Sequence, residues 1–587
     1  MRMGGDNRLR AMLDVCSQFA SEDISAMTLI VRLSEPRVTW KKAARNMLRR
    51  MCGASLMAAA TFALTACTAS NEPTAGEQRA LHAFDLAKAD RADALALEAF
   101  LAKMPKGGDL HMHLSGAVYA ETFLKDAVVD NLCVDTKALK FTACTAPKQK
   151  LPETSCPDGI VPAATAFHCQ KLYDALIDAF SMRSFVPMPS LSGHDQFFAT
   201  FDRFGGLNKT HAGEWLDEVA TRAAVQNEQY LEVMMTPSFG DAAKLGYSLG
   251  WPALAAGTTP DAEGDTTGTS RAELDALRTR LLAGGLRASV SADEKELDDA
   301  LAARSALEHC GQPNAAAACG VKVRILYQVL RAFPPQQVFA QTLLAFEVAS
   351  ADPNVVGLNF VQPEDAYMAM SEYNRQMHML DYLHSVYPQV HISLHAGELA
   401  PGLVPPDGLK FHIREAIELG HAERIGHGVD VMYETDPHAL LREMAARHIM
   451  VEINLTSNEV ILGILPSHHP LPEYRETHVP VALSTDDEGV SRIDLTHEYV
   501  SAVEDYGLGY RELKTLARTS LEHSFLPGES LWDKPDVFTR MKPACAGQLA
   551  SSSTPAESCS SLLKSSEKAA EQLELERRFV AFEAIVK

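Results

Sequence analysis

Two short stretches of this 587-residue chain place imidazoles where metal chemistry could use them. His111 and His113 stand two residues apart, a spacing that points both side chains to one face of a strand and suits two ligands of a single metal ion. His395 precedes Glu398 by three residues across a glycine, which joins a ligand to an acid or base at a tight turn. Either motif alone also fits an ordinary surface turn or a core histidine. Whether they form a metal site therefore depends on which other motifs the chain contains.

Two later stretches complete the set. Asp486 and Asp487 follow an apolar run, and His427 lies in Arg-Ile-Gly-His-Gly at residues 424–428. Three histidines and an aspartate on different strands make a nitrogen and oxygen site for a divalent ion, for which zinc is the best fit; the ligands would be His111, His113, His395 and Asp486. Glu398 would donate or shuttle protons, His427 would orient water or take its proton, and Asp487 would bind the polar edge of a substrate.

Strand-like and helical segments alternate along most of the chain. This alternation predicts a parallel sheet, and eight such units predict a (β/α)8 TIM barrel of the metal-dependent hydrolase type. The predicted strands cover residues 109–114, 229–235, 322–329, 354–360, 389–395, 424–429, 448–454 and 479–485. Each candidate site residue lies at the C-terminal end of one of them, where TIM barrels place their active sites.

The barrel is expected to span residues 105–527 and to carry several additions. We predict a helical extension at 68–104, a disulfide-bearing insertion at 130–192 and a long loop at 240–320 that includes a helical stretch rich in Ala, Leu and Glu. Residues 528–587 form a C-terminal extension that ends in a charged helix at 565–585, whose charges are expected to face solvent.

The N-terminal region reads as an export signal. Arg49 and Arg50 precede a short apolar run that ends in Leu-Thr-Ala-Cys at residues 64–67, which resembles a bacterial lipobox. We therefore predict a lipoprotein-type signal at 47–67, a start at Met47, a non-native upstream segment at 1–46, and a mature protein anchored through lipid on Cys67 at the periplasmic or outer cell surface. A plain secretory signal with a chance cysteine is the alternative.

Cysteine spacing agrees with export. Eight cysteines follow residue 67 as sequence-near couples, which predicts the disulfides 133–144, 156–169, 310–319 and 545–559. A zinc site built from these cysteines is the rival interpretation, although no Cys-x-x-Cys motif is present.

The net charge of −22 argues against nucleic acid or an anionic membrane surface as a partner, because both would be repelled. A membrane would be engaged only through lipidated Cys67. A homodimer stays open, since long acidic helices can support one but nothing in the sequence requires it.

The four ordered motifs together resemble the adenosine deaminase family, and the signal and cysteine-bearing insertion resemble its secreted growth-factor branch. The resemblance implies one zinc ion per chain and hydrolytic deamination of adenosine to inosine and ammonia. It further implies that Glu398 protonates the purine ring nitrogen beside the reacting carbon, that His427 holds the attacking hydroxide, and that Asp487 hydrogen-bonds the imidazole-side ring nitrogen.

Departures from the family pattern fall on substrate contacts. Ser115 stands where many members have an aspartate that helps hold ribose, and Gln362 stands near a glycine whose backbone contacts the purine. Asn359 replaces an acid, and Ser457 is a further candidate for substrate contact. The preference among adenosine, 2′-deoxyadenosine and other 6-substituted purine nucleosides is thus open. Two other readings are an amidohydrolase that cleaves an amide, lactone or ester, and a nucleoside-binding lipoprotein without turnover.

Overall fold

Eight parallel strands form one sheet in which sequence order and spatial order coincide. In this computed structural model, which describes residues 73–89, 95–144, 156–252, 269–549 and 555–586, they belong to one compact unit, Ala75–Lys587. We label them β1 to β8: Gly107–His113, Glu228–Met235, Lys322–Leu330, Val355–Val361, His391–Ala396, Arg424–His427, Met450–Ile453 and Val481–Leu483.

A parallel bridge closes the sheet into a barrel. Met112 in β1 pairs with Asp486, just beyond β8. The Asp486 N–H donates to the His111 carbonyl at 2.9 Å, and the His113 N–H donates to the Asp486 carbonyl at 3.2 Å. The predicted TIM barrel is therefore confirmed, with every strand within a few residues of its predicted position.

Helices surround the barrel, as parallel strands buried on both faces require. Those between β1 and β3 are Leu114–Ala117, Ala120–Val129, Gln170–Ala179, Gly193–Phe204, Ala212–Val225, Gly240–Leu249, Arg271–Leu281 and Arg287–Leu307. Those between β3 and β8 are Pro335–Ala351, Tyr367–Ser371, Tyr373–Val386, His412–Glu418, Pro437–Arg447, Leu455–Leu462 and Leu471–Glu476. Those outside this span are Ala75–Ala89, Leu95–Lys103, Glu488–Ser491, Leu495–Glu504, Tyr510–Glu522, Glu557–Ser565 and Glu567–Ile585. Among the described residues, none of the helices combines the length and apolarity that a bilayer crossing requires.

The cysteine-bearing insertion has its own small sheet and apolar core. Three antiparallel strands, Cys133–Asp135, Lys140–Thr142 and Ile160–Pro162, are stapled by the disulfides Cys133–Cys144 and Cys156–Cys169. Phe197 and Phe204 of the following helix join this core. The insertion therefore holds helix Gly193–Phe204 in place over the barrel.

All four predicted disulfides are present, the other two being Cys310–Cys319 and Cys545–Cys559. The predicted signal, the start at Met47 and Cys67 lie outside the described residues.

Between 240 and 320 the described part is mostly helical, and residues such as Leu274 and Leu277 bury one face of these helices. One segment differs from expectation. The charged C-terminal helix does not expose all its charges. Glu576 and Glu583 are buried against helix Tyr510–Glu522, where they pair with Arg518 and Lys514 at 2.6 Å each.

Candidate active site

Four side-chain atoms converge at the C-terminal mouth of the barrel. Nε2 of His395, at the end of β5, lies 3.1 Å from Nε2 of His111 and 3.2 Å from Nε2 of His113. Oδ1 of Asp486 lies 3.1 Å from Nε2 of His113 and 3.5 Å from Nε2 of His111. All four predicted ligands are therefore brought together and buried.

The spacing of these atoms suits ligands of one metal ion. Zinc bonds of about 2.0–2.1 Å place adjacent ligand atoms roughly 3 Å apart, and the four distances above are 3.1–3.5 Å. Burial, followed by the charge of neighbouring imidazoles, lowers the pKa of His395 well below its ordinary value, so this ring is in the neutral form that ligation needs. The residues present thus fit a divalent ion.

Each of the three ligand histidines has a partner at its other ring nitrogen. Nδ1 of His111 lies 2.5 Å from the Glu452 carboxylate, and Nδ1 of His395 donates to Asn359 Oδ1 at 2.7 Å. The side-chain amide of Gln328 lies 2.9 Å from Nδ1 of His113. The oxygens of Glu452 and Asn359 accept from Nδ1 and so leave Nε2 of His111 and His395 free for the metal, and Gln328 fixes the orientation of the His113 ring.

Glu398 stands on the turn that follows β5, buried at the base of a cavity. Burial raises its pKa to about 7; the charges of Asp486 and Glu364 add to the rise, and His427 opposes it. A carboxyl group that titrates near neutrality can give and take protons at working pH. Gly397 makes the turn possible, because φ is +76° and a Cβ there would lie 2.4 Å from Asp430 Oδ1.

His427 ends β6 with its ring 5.0 Å from that of His111 and 5.2 Å from that of His395. Its Nδ1 donates to Asn458 Oδ1 at 2.9 Å, which leaves Nε2 as the acceptor on the side of Glu398, 3.9 Å from Oε1. His427 is thereby placed to hold a water or hydroxide beside the metal ligands.

Asp487 is buried and lines the cavity, and its Oδ1 has no hydrogen-bond partner in the part of the chain that the structure describes. Burial, followed by the charge of Asp486, raises the pKa of this carboxyl well above its ordinary value. Gly116 gives it room, since a Cβ there would lie 1.4 Å from Asp487 Oδ1. A buried carboxyl group at a cavity wall, with one oxygen that accepts no hydrogen bond from the described residues, is suited to a polar atom of a substrate.

The remaining predicted contacts divide between the cavity and the ligand set. Ser115 and Gln362 line the cavity, and Gln362 also accepts the Ala332 N–H through Oε1 at 2.9 Å. Ser457 instead donates to Oδ2 of Asp486 at 2.7 Å. The structure thus places Ser457 against a predicted metal ligand.

The cavity has a volume of about 440 Å³, within the range of small-molecule sites. Helix Gly193–Phe204 forms an aromatic wall with Phe197, Phe198 and Phe201, and it also places Asp202 at the edge. No lysine or arginine is among the described side chains that line it. The helix that carries this wall packs on the apolar core of the insertion.

Sequence reasoning missed the partners of the ligands and the aromatic wall. Glu452 carries one detectable signal, because it is a charged residue inside the otherwise apolar run Met450–Ile453. Gln328 has no such signal. Asn359 stands out only as a departure from the family pattern, yet it orients His395.

Comparison with known proteins agrees with this site. The adenosine deaminase family model matches residues 290–533. An adenine deaminase of Rhizobium leguminosarum bv. trifolii is 26% identical over 213 residues, which is 36% of this chain and 60% of that protein. An adenosine deaminase of Escherichia coli is 36% identical over 140 residues, 24% of this chain and 39% of that protein. The chain thus matches about four to six tenths of the length of these relatives.

Solved structures of similar fold include an adenine deaminase from Arthrobacter aurescens, with a TM-score of 0.44 and 17% identity over 72% of this chain and 94% of that one. An N6-mAMP deaminase from Arabidopsis has a TM-score of 0.45 and 19% identity over 73% and 96%. Residues 290–533 of this chain, which include His395, Glu398, His427 and Asp486, thus match the adenosine deaminase family.

Proposed function

We propose that this protein is a zinc-dependent hydrolase that deaminates adenosine, and also 2′-deoxyadenosine, to inosine and ammonia. The observation that carries the proposal is the grouping of four ligand atoms, a carboxyl group with a pKa of about 7 and an unpaired buried carboxyl group around one cavity.

His111, His113, His395 and Asp486 would hold the metal, whose chemical contribution is to lower the pKa of a bound water toward neutrality. Glu398 would give a proton to the purine ring nitrogen beside the reacting carbon, which makes that carbon more electrophilic. His427 would orient the nucleophile through Nε2. Asp487, whose raised pKa favours the protonated form, would donate to the imidazole-side ring nitrogen.

Adenine is a second candidate substrate. One relative matched over 213 residues is an adenine deaminase, and Ser115 stands where many family members hold ribose with an aspartate. Nucleotides are disfavoured, because the described lining offers no cation to a phosphate and includes Asp202. Other 6-substituted purine nucleosides fit the same chemistry.

The ultraviolet spectrum provides the test. The purified protein is mixed with adenosine, with adenine and with deoxyadenosine, before and after metal is removed with a chelator. Conversion of adenosine that stops with the chelator and returns with zinc supports the proposal. If only adenine is converted, adenine and not adenosine is the substrate. A folded, zinc-loaded protein that converts none of these substrates would refute the proposal.

We also propose that the protein is exported and anchored through lipid on Cys67. The four disulfides support export, since such bonds persist in oxidising compartments. In a bacterial host, the Cys67→Ala variant should move from the membrane fraction to the soluble fraction while the wild-type protein incorporates labelled fatty acid. An unlabelled wild-type protein would rule out the anchor.

A further inference from the structure

Glu364 follows β4 outside the cavity lining, yet its carboxylate faces the turn that carries Glu398. Oε1 accepts the Gly397 N–H at 3.1 Å, and Oε2 accepts the Glu398 N–H at 2.7 Å. Glu364 is 1% exposed, so water does not compete freely for these donors.

We propose that Glu364 is a positioning residue for deamination, which fixes the Gly397–Glu398 turn and so sets where the Glu398 carboxyl group stands beside the metal ligands and His427. The inference rests on the function proposed above.

The turn depends on partners from neighbouring strand ends. The Gly397 carbonyl accepts the Val429 N–H at 2.8 Å, and the His395 carbonyl accepts from Nη1 of Arg331 at 3.0 Å. These contacts hold the carbonyl groups only. The two N–H groups of the turn point to Glu364, and a buried N–H without an acceptor is costly. Among the described residues, Glu364 thus provides the acceptors for both N–H groups of the turn.

Two donors that face two oxygens require a carboxylate. A glutamine has one acceptor oxygen, and its NH₂ group would face a backbone N–H. The charge matters as well, because the groups acting on Glu398 are His427 and Arg331, which favour its ionised form, and Asp486 and Glu364, which favour its protonated form. Loss of the Glu364 charge should therefore favour ionised Glu398.

Glu434 offers a matched control. It is also buried, at 3% exposed, and it accepts two backbone N–H groups, from Ile413 at 2.7 Å and Arg414 at 3.2 Å. These donors begin helix His412–Glu418 and do not belong to the Glu398 turn. The change E434Q is the same change of residue type at a buried carboxylate, but both N–H groups there face Oε1, so a glutamine can still accept both.

The experiment compares the full-length wild-type protein with E364Q, E364D and E434Q. For each, kcat and KM for adenosine, the pH dependence of kcat, bound zinc and the melting temperature are measured. E364Q should lose about 10- to 100-fold in kcat with KM within about threefold and zinc content unchanged, because a small displacement of a reacting group is costly. The pH limb assigned to Glu398 should move to lower pH. E434Q should keep kcat within about twofold, because glutamine retains the single acceptor oxygen that both N–H groups use.

The outcomes separate the two proposals. A wild-type protein that turns over no purine overturns the proposed function and this inference with it. An active wild type with equal kcat in E364Q and E434Q overturns only the inference. If E364Q does not fold, E364D takes its place. This variant keeps the charge but reaches less far, so lowered kcat with normal zinc supports positioning and unchanged kcat refutes it.

Discussion

Nδ1 of His111 lies 2.5 Å from Oε2 of Glu452, and both side chains are fully buried. The same carboxylate accepts from Nε of Arg424 at 2.6 Å and from Ser393 Oγ at 2.9 Å. Although burial alone would raise the pKa of Glu452, Arg424 and His111 lower it to about 2. A charged carboxylate thus orients His111, the first of the predicted metal ligands.

Replacing Glu452 with glutamine should weaken zinc binding by about 10- to 100-fold, because the carboxylate that orients His111 is lost. Competition with a chelator of known affinity measures this loss. The Glu434→Gln variant, which changes a buried carboxylate that accepts from Ile413 and Arg414, should bind zinc like the wild type. Equal affinity in the two variants would contradict the role of Glu452.

Replacing Glu398 with glutamine should lower kcat by about 10²- to 10⁴-fold, the usual contribution of a proton donor, while zinc stays bound. Since the acid acts in its protonated form and its pKa is about 7, the rate that depends on it should be complete below that pH and decline above it. The pH profile of kcat/KM shows this limb. A limb that persists unchanged in the glutamine variant belongs to another group.

His412 should make the protein less stable in acid. Its ring is buried without a hydrogen-bond partner among the described residues, and burial lowers its pKa to about 4. Above the ordinary pKa of about 6.5 this histidine is neutral in both the folded and the unfolded chain. As pH falls from there toward 4, the unfolded chain binds the proton first, so the free energy of unfolding decreases.

The centre of the His412 ring lies 4.3 Å from that of Tyr373 and 4.2 Å from that of Phe411. Phenylalanine suits a site with these aromatic neighbours. As pH falls from about 6 to 4, the free energy of unfolding of His412→Phe relative to the wild type should increase by about 1.4 kcal/mol for each pH unit. Denaturant titrations at several pH values measure the difference. A difference that does not change with pH would contradict a buried, neutral histidine.

Asp202 should disfavour nucleotides. It is exposed at the cavity edge, where the described lining has no cation to offset it. We expect the kcat/KM ratio of AMP to adenosine to rise about fivefold or more in Asp202→Lys. Asp299→Lys alters the net charge equally on a different helix and should leave the ratio unchanged. A similar rise in both variants would indicate only a long-range charge effect.

Strand ends and ligand types could be predicted because both are local properties. The alternation that marks β5 also places His395 at its end, so the sequence alone located all four atoms that converge. Partners from distant segments could not be found this way. Glu452 and His111 are 341 residues apart in the sequence, and the local sequence around either residue gives no indication that they are in contact.

The C-terminal helix shows the same limit. Its charge pattern indicates a polar surface, but Glu583 pairs with Lys514, which is 69 residues earlier. Periodicity reports how a helix divides into faces and not which element covers each face. The aromatic wall was missed for a related reason, since Phe198 faces the cavity only because the insertion holds its helix there.

The bridge between Met112 and Asp486 gives the site a place in the order of folding. One predicted ligand lies on the first strand and another just beyond the last, so the predicted metal site lies where the first and last strands of the barrel meet. A chain emerging from the ribosome, or threading through a membrane, presents His111 long before Asp486. Because contacts of such long sequence separation form slowly, the complete donor set exists only when the ring has closed. Metal uptake would then act as a signal that the last strand has docked.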